Sequence, residues 1–230
     1  MQLLLGDLFM YDVIILTISP ELKRSDFNVM LNLLSPEKRE RIKKFHFFQD
    51  ARNCLLGDVL SRVEICRVTG LNNRQLDFSV NGYGKPVLIN IPHIYFNISH
   101  AGNYVACVIA DKPVGIDIEV IKPIDLKLSE RFFTIDEVAY IRTGEATQRF
   151  YEIWTKKESH VKWEGKGLHK PLSSFSVFDT MACHQPTYHS VINNDECICH
   201  VCAMKKEAPS IRVIDVTSLV RSASLVHYQP

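Results

Sequence analysis

The chain has no apolar run of the roughly eighteen residues that a membrane helix needs, because its most hydrophobic start, Leu3 to Leu16, is broken by Asp7 and Asp12. That start also lacks the basic stretch of a secretory signal and begins to alternate like a strand. The expectation is a cytoplasmic protein away from the membrane, with Cys54, Cys66, Cys107, Cys183, Cys197, Cys199 and Cys202 reduced. There is little charge of one sign: 27 Lys and Arg against 26 Asp and Glu leave a net +1. This excludes a protein that coats polyanions, gives no ground for a nucleic-acid partner, and makes any basic site a local one. Ten Gly and ten Pro among 230 residues exclude collagen-like or Pro-rich low-complexity character. No Walker loop and no kinase signature is present.

What is there is an alternation of helical and strand patterns. Leu3 to Leu5 and Val13 to Ile18 read as one or two strands, and Ser19-Pro20 breaks the run. Phe27, Met30, Leu31 and Leu34 then recur at helical spacing, and Ser35-Pro36-Glu37 offers an N-cap, a first-turn proline and an early acid for a basic second helix. A third helix is expected over Gln49 to Val68, with an apolar stripe from Leu55, Leu56, Val59, Leu60 and Val63. Short strands follow near 78–80, 86–89, 94–98, 104–109 and 114–120. The second half predicts helices at 128–133, 135–143 and 147–164, then strands near 175–178, 187–192, 197–203 and 211–215. The fold class expected is α+β: a pseudo-twofold pair of similar subdomains, residues 1–110 and 111–230, each with helices on a small mainly antiparallel sheet and a cleft between them.

Four constellations carry chemistry. Asp117 and Glu119 lie two apart in the apolar strand Val114 to Val120 and so share one face. They are either a solvated strand face or a buried pair that demands a cation, and hard Mg²⁺ prefers such oxygen ligands while keeping water and phosphate. Glu158 and Lys162, four apart on the long helix, are either a surface ion pair or a third carboxylate with a phosphate-neutralising lysine. Ser99-His100 ends a strand, as a turn cap or as a phosphate donor and proton carrier. Lys85, between Gly84 and Pro86, is an ordinary surface lysine or a basic contact. Cys197-Ile198-Cys199-His200-Val201-Cys202 divides its ligand types between two strand faces, so a reduced core strand is expected and not a zinc site.

These elements, in this order, resemble the phosphopantetheinyl transferases of the surfactin-synthetase-activating type, the single-chain class built from two similar halves. The resemblance spans nearly the whole chain. It runs from Leu34-Ser35-Pro36-Glu37-Lys38-Arg39-Glu40 through Leu55-Leu56-Gly57-Asp58-Val59-Leu60-Ser61-Arg62, Gly84-Lys85-Pro86 and Phe96-Asn97-Ile98-Ser99-His100. It continues in Gly115-Ile116-Asp117-Ile118-Glu119, Arg131-Phe132-Phe133, Trp154-Thr155-Lys156-Lys157-Glu158-Ser159, Lys162, Gly165-Lys166-Gly167-Leu168 and Phe175-Ser176-Val177.

The resemblance implies transfer of the 4′-phosphopantetheine arm of coenzyme A to a serine of an apo carrier protein, with release of adenosine 3′,5′-bisphosphate. It implies Mg²⁺ held by Asp117, Glu119 and Glu158, with Glu158 also the base for the carrier serine, which requires its pKa to stay low. Lys162 and His100 are implied to stabilise charge on the phosphates. Lys38 and Arg41 are implied near the 3′-phosphate, with Lys85, Ser99 and His100 near the nucleotide phosphates. Where relatives carry Arg followed by Thr or Ser before the Leu-Leu-Gly run, this chain has Arg52-Asn53-Cys54, and Arg52 is the residue left to supply the nucleotide contact. The implied partners are peptidyl carrier domains of nonribosomal peptide synthetases, with acyl carrier proteins a second class, met by a monomer. Two other functions stay open from the residues: a different Mg²⁺-dependent phosphotransferase or nucleotidyl hydrolase, and an inactive module that binds carrier or coenzyme A.

Overall fold

Two long helices, each laid on a small sheet, organise the chain. The structure is a computed structural model and describes residues 11–167, 170–179 and 185–228. The expected strand at Leu3 to Leu5, and Leu168, Cys183 and His184, lie outside these residues.

In the first half, β1 (Tyr11–Thr17) runs between β5 (Tyr104–Ala110), antiparallel to it, and β9 (Ser210–Asp215), parallel to it. β4 (Tyr95–Ala101) pairs with β5 and gives the order β4-β5-β1-β9. The period-two geometry of β1 serves two cores. Ile14 and Leu16 pack toward α3 (Phe48–Thr69), whereas Val13 and Ile15 pack against strands of the second half. Before α3 come α1 (Arg24–Leu31) and α2 (Pro36–Lys43), and Ser35 caps α2 by accepting from the Lys38 N–H at 3.4 Å. The stripe of Leu55, Leu56, Val59 and Leu60 on α3 is fully buried, and the helix stops where Gly70 turns left-handed at φ 71°. β2 (Phe78–Val80) and β3 (Pro86–Leu88) form a separate hairpin.

The second half repeats the plan. β6 (Val114–Val120), β8 (Cys197–Ala203) and β7 (Thr187–Asn193) make an antiparallel sheet in the order β6-β8-β7, on which α6 (Ala146–Glu164) lies. α4 (Lys127–Phe132) and α5 (Ile135–Ile141) stand beside α6. The expected mixed fold of helices on small, mainly antiparallel sheets is what the chain adopts. Among the described residues, no helix is long and apolar enough to cross a membrane.

Two expectations fail. The last segment does not stay with the second half: β9 joins β1, and α7 (Val216–Tyr228), which strand and helix periodicity leave unassigned, packs on α1 and α3. Residues 175–178 are not a strand, because the Lys157 ammonium takes the carbonyls of Leu172 and Phe175 at 2.7 and 2.6 Å and bends the segment around itself.

The candidate active-site cleft

The halves meet along β6. One edge of β6 pairs with β8, while its other edge meets side chains of β4: Asn97 Oδ1 accepts from Ile116 N–H at 2.8 Å and Ser99 Oγ from Ile118 N–H at 3.4 Å. Buried amides that would otherwise be orphaned are thereby satisfied, and β4 is fixed against β6. Val114, Ile116 and Ile118 face the shared core, so Gly115, Asp117 and Glu119 face the other way. Gly115 lies so close to α6 that a Cβ would stand 2.0 Å from the Ser159 carbonyl oxygen and 2.3 Å from Trp163 N. Only glycine lets β6 and α6 touch, and this contact delivers the carboxylates of β6 to Glu158 and Lys162.

The centre of the cluster is Asp117, 4% exposed. Its Oδ1 accepts from Lys162 Nζ at 2.6 Å and from Ser99 Oγ at 2.9 Å, and Lys162 Nζ also donates to Ser99 Oγ at 3.0 Å. Asp117 Oδ2 is buried and, among the described residues, has no hydrogen-bond partner. Burial first, then the Asp117 charge, pushes the Glu119 carboxyl up to about 7; Lys162 opposes this, Glu158 adds to it, and a hydrogen bond with Trp154 lowers it. Glu158 is likewise raised, by burial and then by Asp117, with Lys162 pulling it down. The expectation of a low Glu158 pKa therefore does not hold for the protein without a cation. His100 stands at the exposed rim, where partial desolvation and then Lys162 hold its imidazole below the ordinary value against Asp50 and Asp117.

These donors suit Mg²⁺. Among the described residues, no three His, Cys, Asp or Glu side chains cage an ion unaided. Mg²⁺ keeps several waters, however, and takes one or two carboxylates together with substrate phosphates. Asp117 Oδ2, beside Glu119 and Glu158 carboxyls whose pKa values are raised by burial and then by the Asp117 charge, is part of a donor set that a hard cation relieves.

Lys38 and Arg41 line a second feature, a cleft of about 840 Å³ in the first half bounded also by Asp58, Arg62, Phe78 and Phe96. Lys38 is ion-paired with Asp58 there. Arg62, one helical turn beyond Asp58, stacks over the Phe78 ring at 4.3 Å and is not among the residues singled out from the sequence, although its spacing from Asp58 on α3 carries the signal. Neither Asp117, Lys162 nor His100 lines this cleft.

Two expected phosphate contacts are placed otherwise. Lys85 turns away from the cleft and donates to the carbonyls of Val114 and Lys162 at 2.8 and 2.6 Å, a strut between β6 and α6; burial lowers its pKa to about 8. Arg52 is 6% exposed and borders a different pocket, of about 230 Å³, with Glu21 and Phe48. Its guanidinium donates to the Gly102 carbonyl at 3.5 Å and to Asn103 Oδ1 at 3.1 Å. His160 is engaged elsewhere: its Nδ1 meets Tyr188 Oη at 2.7 Å, its Nε2 meets Glu164 Oε1 at 3.2 Å and its ring stacks on Phe175. β8 is buried throughout, with Cys197, Cys199 and Cys202 as free thiols and His200 on Thr155, which fits the expected reduced core strand.

Comparison with known proteins agrees along the chain. The family described as "4′-phosphopantetheinyl transferase, N-terminal" matches residues 20–113, and the "4′-phosphopantetheinyl transferase superfamily" matches residues 113–213. The chain is 45% identical over 150 residues to 4′-phosphopantetheinyl transferase Sfp of Bacillus subtilis (strain 168), covering 64% of this chain and 67% of that protein. It is 36% identical over 171 residues to 4′-phosphopantetheinyl transferase gsp of Aneurinibacillus migulanus, covering 73% and 71%. It is 30% identical over 163 residues to L-aminoadipate-semialdehyde dehydrogenase-phosphopantetheinyl transferase of Homo sapiens, covering 63% and 52%.

Proposed function

The chain belongs to the 4′-phosphopantetheinyl transferase superfamily, and from that premise we propose how its own residues carry the transfer of phosphopantetheine from coenzyme A to a carrier protein. The observation that carries the assignment is the Lys162 ammonium, shared between Asp117 and Ser99 where β4, β6 and α6 meet. Lys38 and Arg41, which line the basic cleft, supply nucleotide contacts, and Asp117, Glu119, Glu158 and Lys162, with Ser99 and His100 from β4, supply the reacting centre.

In the reaction, the carrier serine oxygen attacks the β-phosphorus of coenzyme A and a new P–O bond forms. The bond from that phosphorus to the bridging oxygen breaks, so that adenosine 3′,5′-bisphosphate leaves with the electron pair. Glu158 takes the serine proton, directly or through one water. Lys162 has three donors, two of them engaged by Asp117 and Ser99, and the third is available to a phosphate oxygen. His100, at the rim, donates to the phosphates from its side of the cleft. Asp117, Glu119 and Glu158 would hold Mg²⁺. When bound, that ion withdraws charge from the pyrophosphate.

The carriers we assign are peptidyl carrier domains of nonribosomal peptide synthetases, with acyl carrier proteins as the second class. One chain contains both halves of the cleft and acts as a monomer. The test is incubation of an apo carrier with coenzyme A and Mg²⁺, followed by intact mass. The expected product is a carrier heavier by one phosphopantetheine, formed only with the cation. No adduct on any of several peptidyl and acyl carriers would overturn the assignment.

A further inference from the structure

Gln49, Arg52 and Asn53 occupy positions i, i+3 and i+4 on the first turns of α3, so they form one stripe, continued inward by Leu56 and Leu60. All three reach the hairpin turn between β4 and β5. Ala101 pairs with Tyr104, leaving Gly102 and Asn103 as a two-residue loop, and Gly102 at φ 54° supplies the positive first dihedral of a type II′ turn. The Gly102 carbonyl accepts from Asn53 Nδ2 at 2.9 Å, from Gln49 Nε2 at 3.4 Å and from Arg52 Nη2 at 3.5 Å. Asn53 does two things at once, because its Oδ1 also accepts from Arg52 Nε at 3.1 Å, which turns the guanidinium onto Asn103 Oδ1 at 3.1 Å. Asn53 is 4% exposed, so water does not substitute for these bonds without a rearrangement.

We propose that Asn53 is a positioning residue for His100: it clamps the Gly102 carbonyl and thereby sets where His100 stands in the cleft. His100 lies two residues before Gly102 on β4, and its charged surroundings come from two elements besides its neighbour strand, Asp50 on α3 and Lys162 on α6, with Asp117 on β6. A β4–β5 turn fixed to the first turns of α3 keeps the imidazole at a constant height between them. The Arg52-Asn53-Cys54 segment thus has a role of its own, because it holds the residue that meets the phosphates. The inference rests on the reading that His100 contacts coenzyme A.

The test uses the full chain in four forms: wild type, Asn53→Ala, His100→Ala and the double variant. Calorimetry reads coenzyme A affinity in Mg²⁺, and carrier labelling reads KM and kcat. Asn53→Ala is expected to weaken coenzyme A binding about tenfold, the loss of roughly one hydrogen bond to a charged group, and to lower kcat/KM by at least as much, because a misplaced contact is also felt in the reacting complex. In the His100→Ala background it is expected to add less than about twofold. Full multiplication of the two effects, or unchanged affinity in Asn53→Ala, would overturn the proposal. The NMR signal of the His100 ring protons at one fixed pH gives a readout independent of the ligand: Asn53→Ala must shift it, and an unmoved signal also overturns the clamp. If the wild type binds no coenzyme A, the functional reading fails while the ring signal still decides the clamp. Asn53→Asp, the same shape without the donor, separates loss of the hydrogen bond from loss of volume.

Discussion

Lys162 Nζ stands 2.6 Å from Asp117 Oδ1, yet the two partners are buried unequally: 26% of the lysine side chain is exposed against 5% of the aspartate. Removing either should abolish transfer, but the effects on stability should differ. Asp117→Asn leaves an ammonium that can turn to water, at a cost of about 1 kcal/mol or less. Lys162→Met strands a buried carboxylate, at a cost of about 3 kcal/mol. Both variants should lose at least about 100-fold in labelling rate, roughly 2.7 kcal/mol of barrier. Urea melts without added divalent cation check the asymmetry; equal destabilisation would count against the buried pair.

The contact between Gly115 and α6 gives a second prediction. The methyl of Gly115→Ala meets the Ser159 carbonyl oxygen and Trp163 N, backbone atoms that yield only if β6 and α6 part. Asp117 then moves away from Lys162. Overpacking of this kind costs about 1–3 kcal/mol, or a Tm fall on the order of 2–10 °C for a chain of this size. Labelling should fall by about tenfold or more. Gly82→Ala, where nothing lies within 4 Å, is the control and should change neither quantity.

The same residues show what a sequence can disclose. The α3 stripe, the Ser35 cap and the spacing of Asp117 from Glu119 are short-range patterns, and each leads to the element that forms. β9 is readable as a strand, but its partner is not, because nothing in Ser210 to Asp215 says that β1 lies open to it some two hundred residues earlier. α7 begins Val-Thr-Ser and has little helix propensity; its packing on α3 is a tertiary effect. Lys85 and Arg52 mislead for one reason: their charge suggests phosphate, whereas the fold uses their donors on backbone carbonyls and neighbouring amides. A lysine buried completely, as Lys157 is, runs against the composition of protein interiors and depends on an acid twenty positions away.

That acid is Glu137, and the pair yields a third prediction. Both side chains are 0% exposed, with Lys157 Nζ 2.8 Å from Glu137 Oε2. Glu137 also accepts from Thr134 N–H at 2.9 Å and Val177 N–H at 2.8 Å, so one carboxylate joins α5, α6 and the 172–177 segment. Lys157→Met strands the acid and should cost about 3–5 kcal/mol. Glu137→Gln should cost a similar amount by stranding the ammonium. The double variant should be less destabilised than the sum of the singles by at least about 1 kcal/mol. Additive losses in denaturant melts would mean that the two charges do not act as a pair.

His200 gives the last prediction, through pH. Its Nδ1 lies 2.8 Å from Thr155 Oγ1, and burial, then the nearby Lys156 charge, lowers its pKa to about 3, with Glu152 opposing. The unfolded chain has a histidine pKa of about 6.5, so below that pH the unfolded state binds the proton that the fold refuses. The contribution of His200 is therefore full above about pH 6.5 and is lost progressively as pH falls toward 3, whereas Glu119, raised to about 7, works in the opposite direction over the same window. Between pH 7.5 and 5.5 this one group should remove about 1.3 kcal/mol, and His160, lowered to about 4, should remove a similar amount in the same direction. His200→Asn keeps a polar atom near Thr155 and removes the titration, so urea melts at pH 7.5, 6.5 and 5.5 should show a change in stability that differs from the wild type's by about 1.3 kcal/mol, the share of this one group. If the variant and the wild type lose stability in parallel over that range, His200 is not the group that resists the proton.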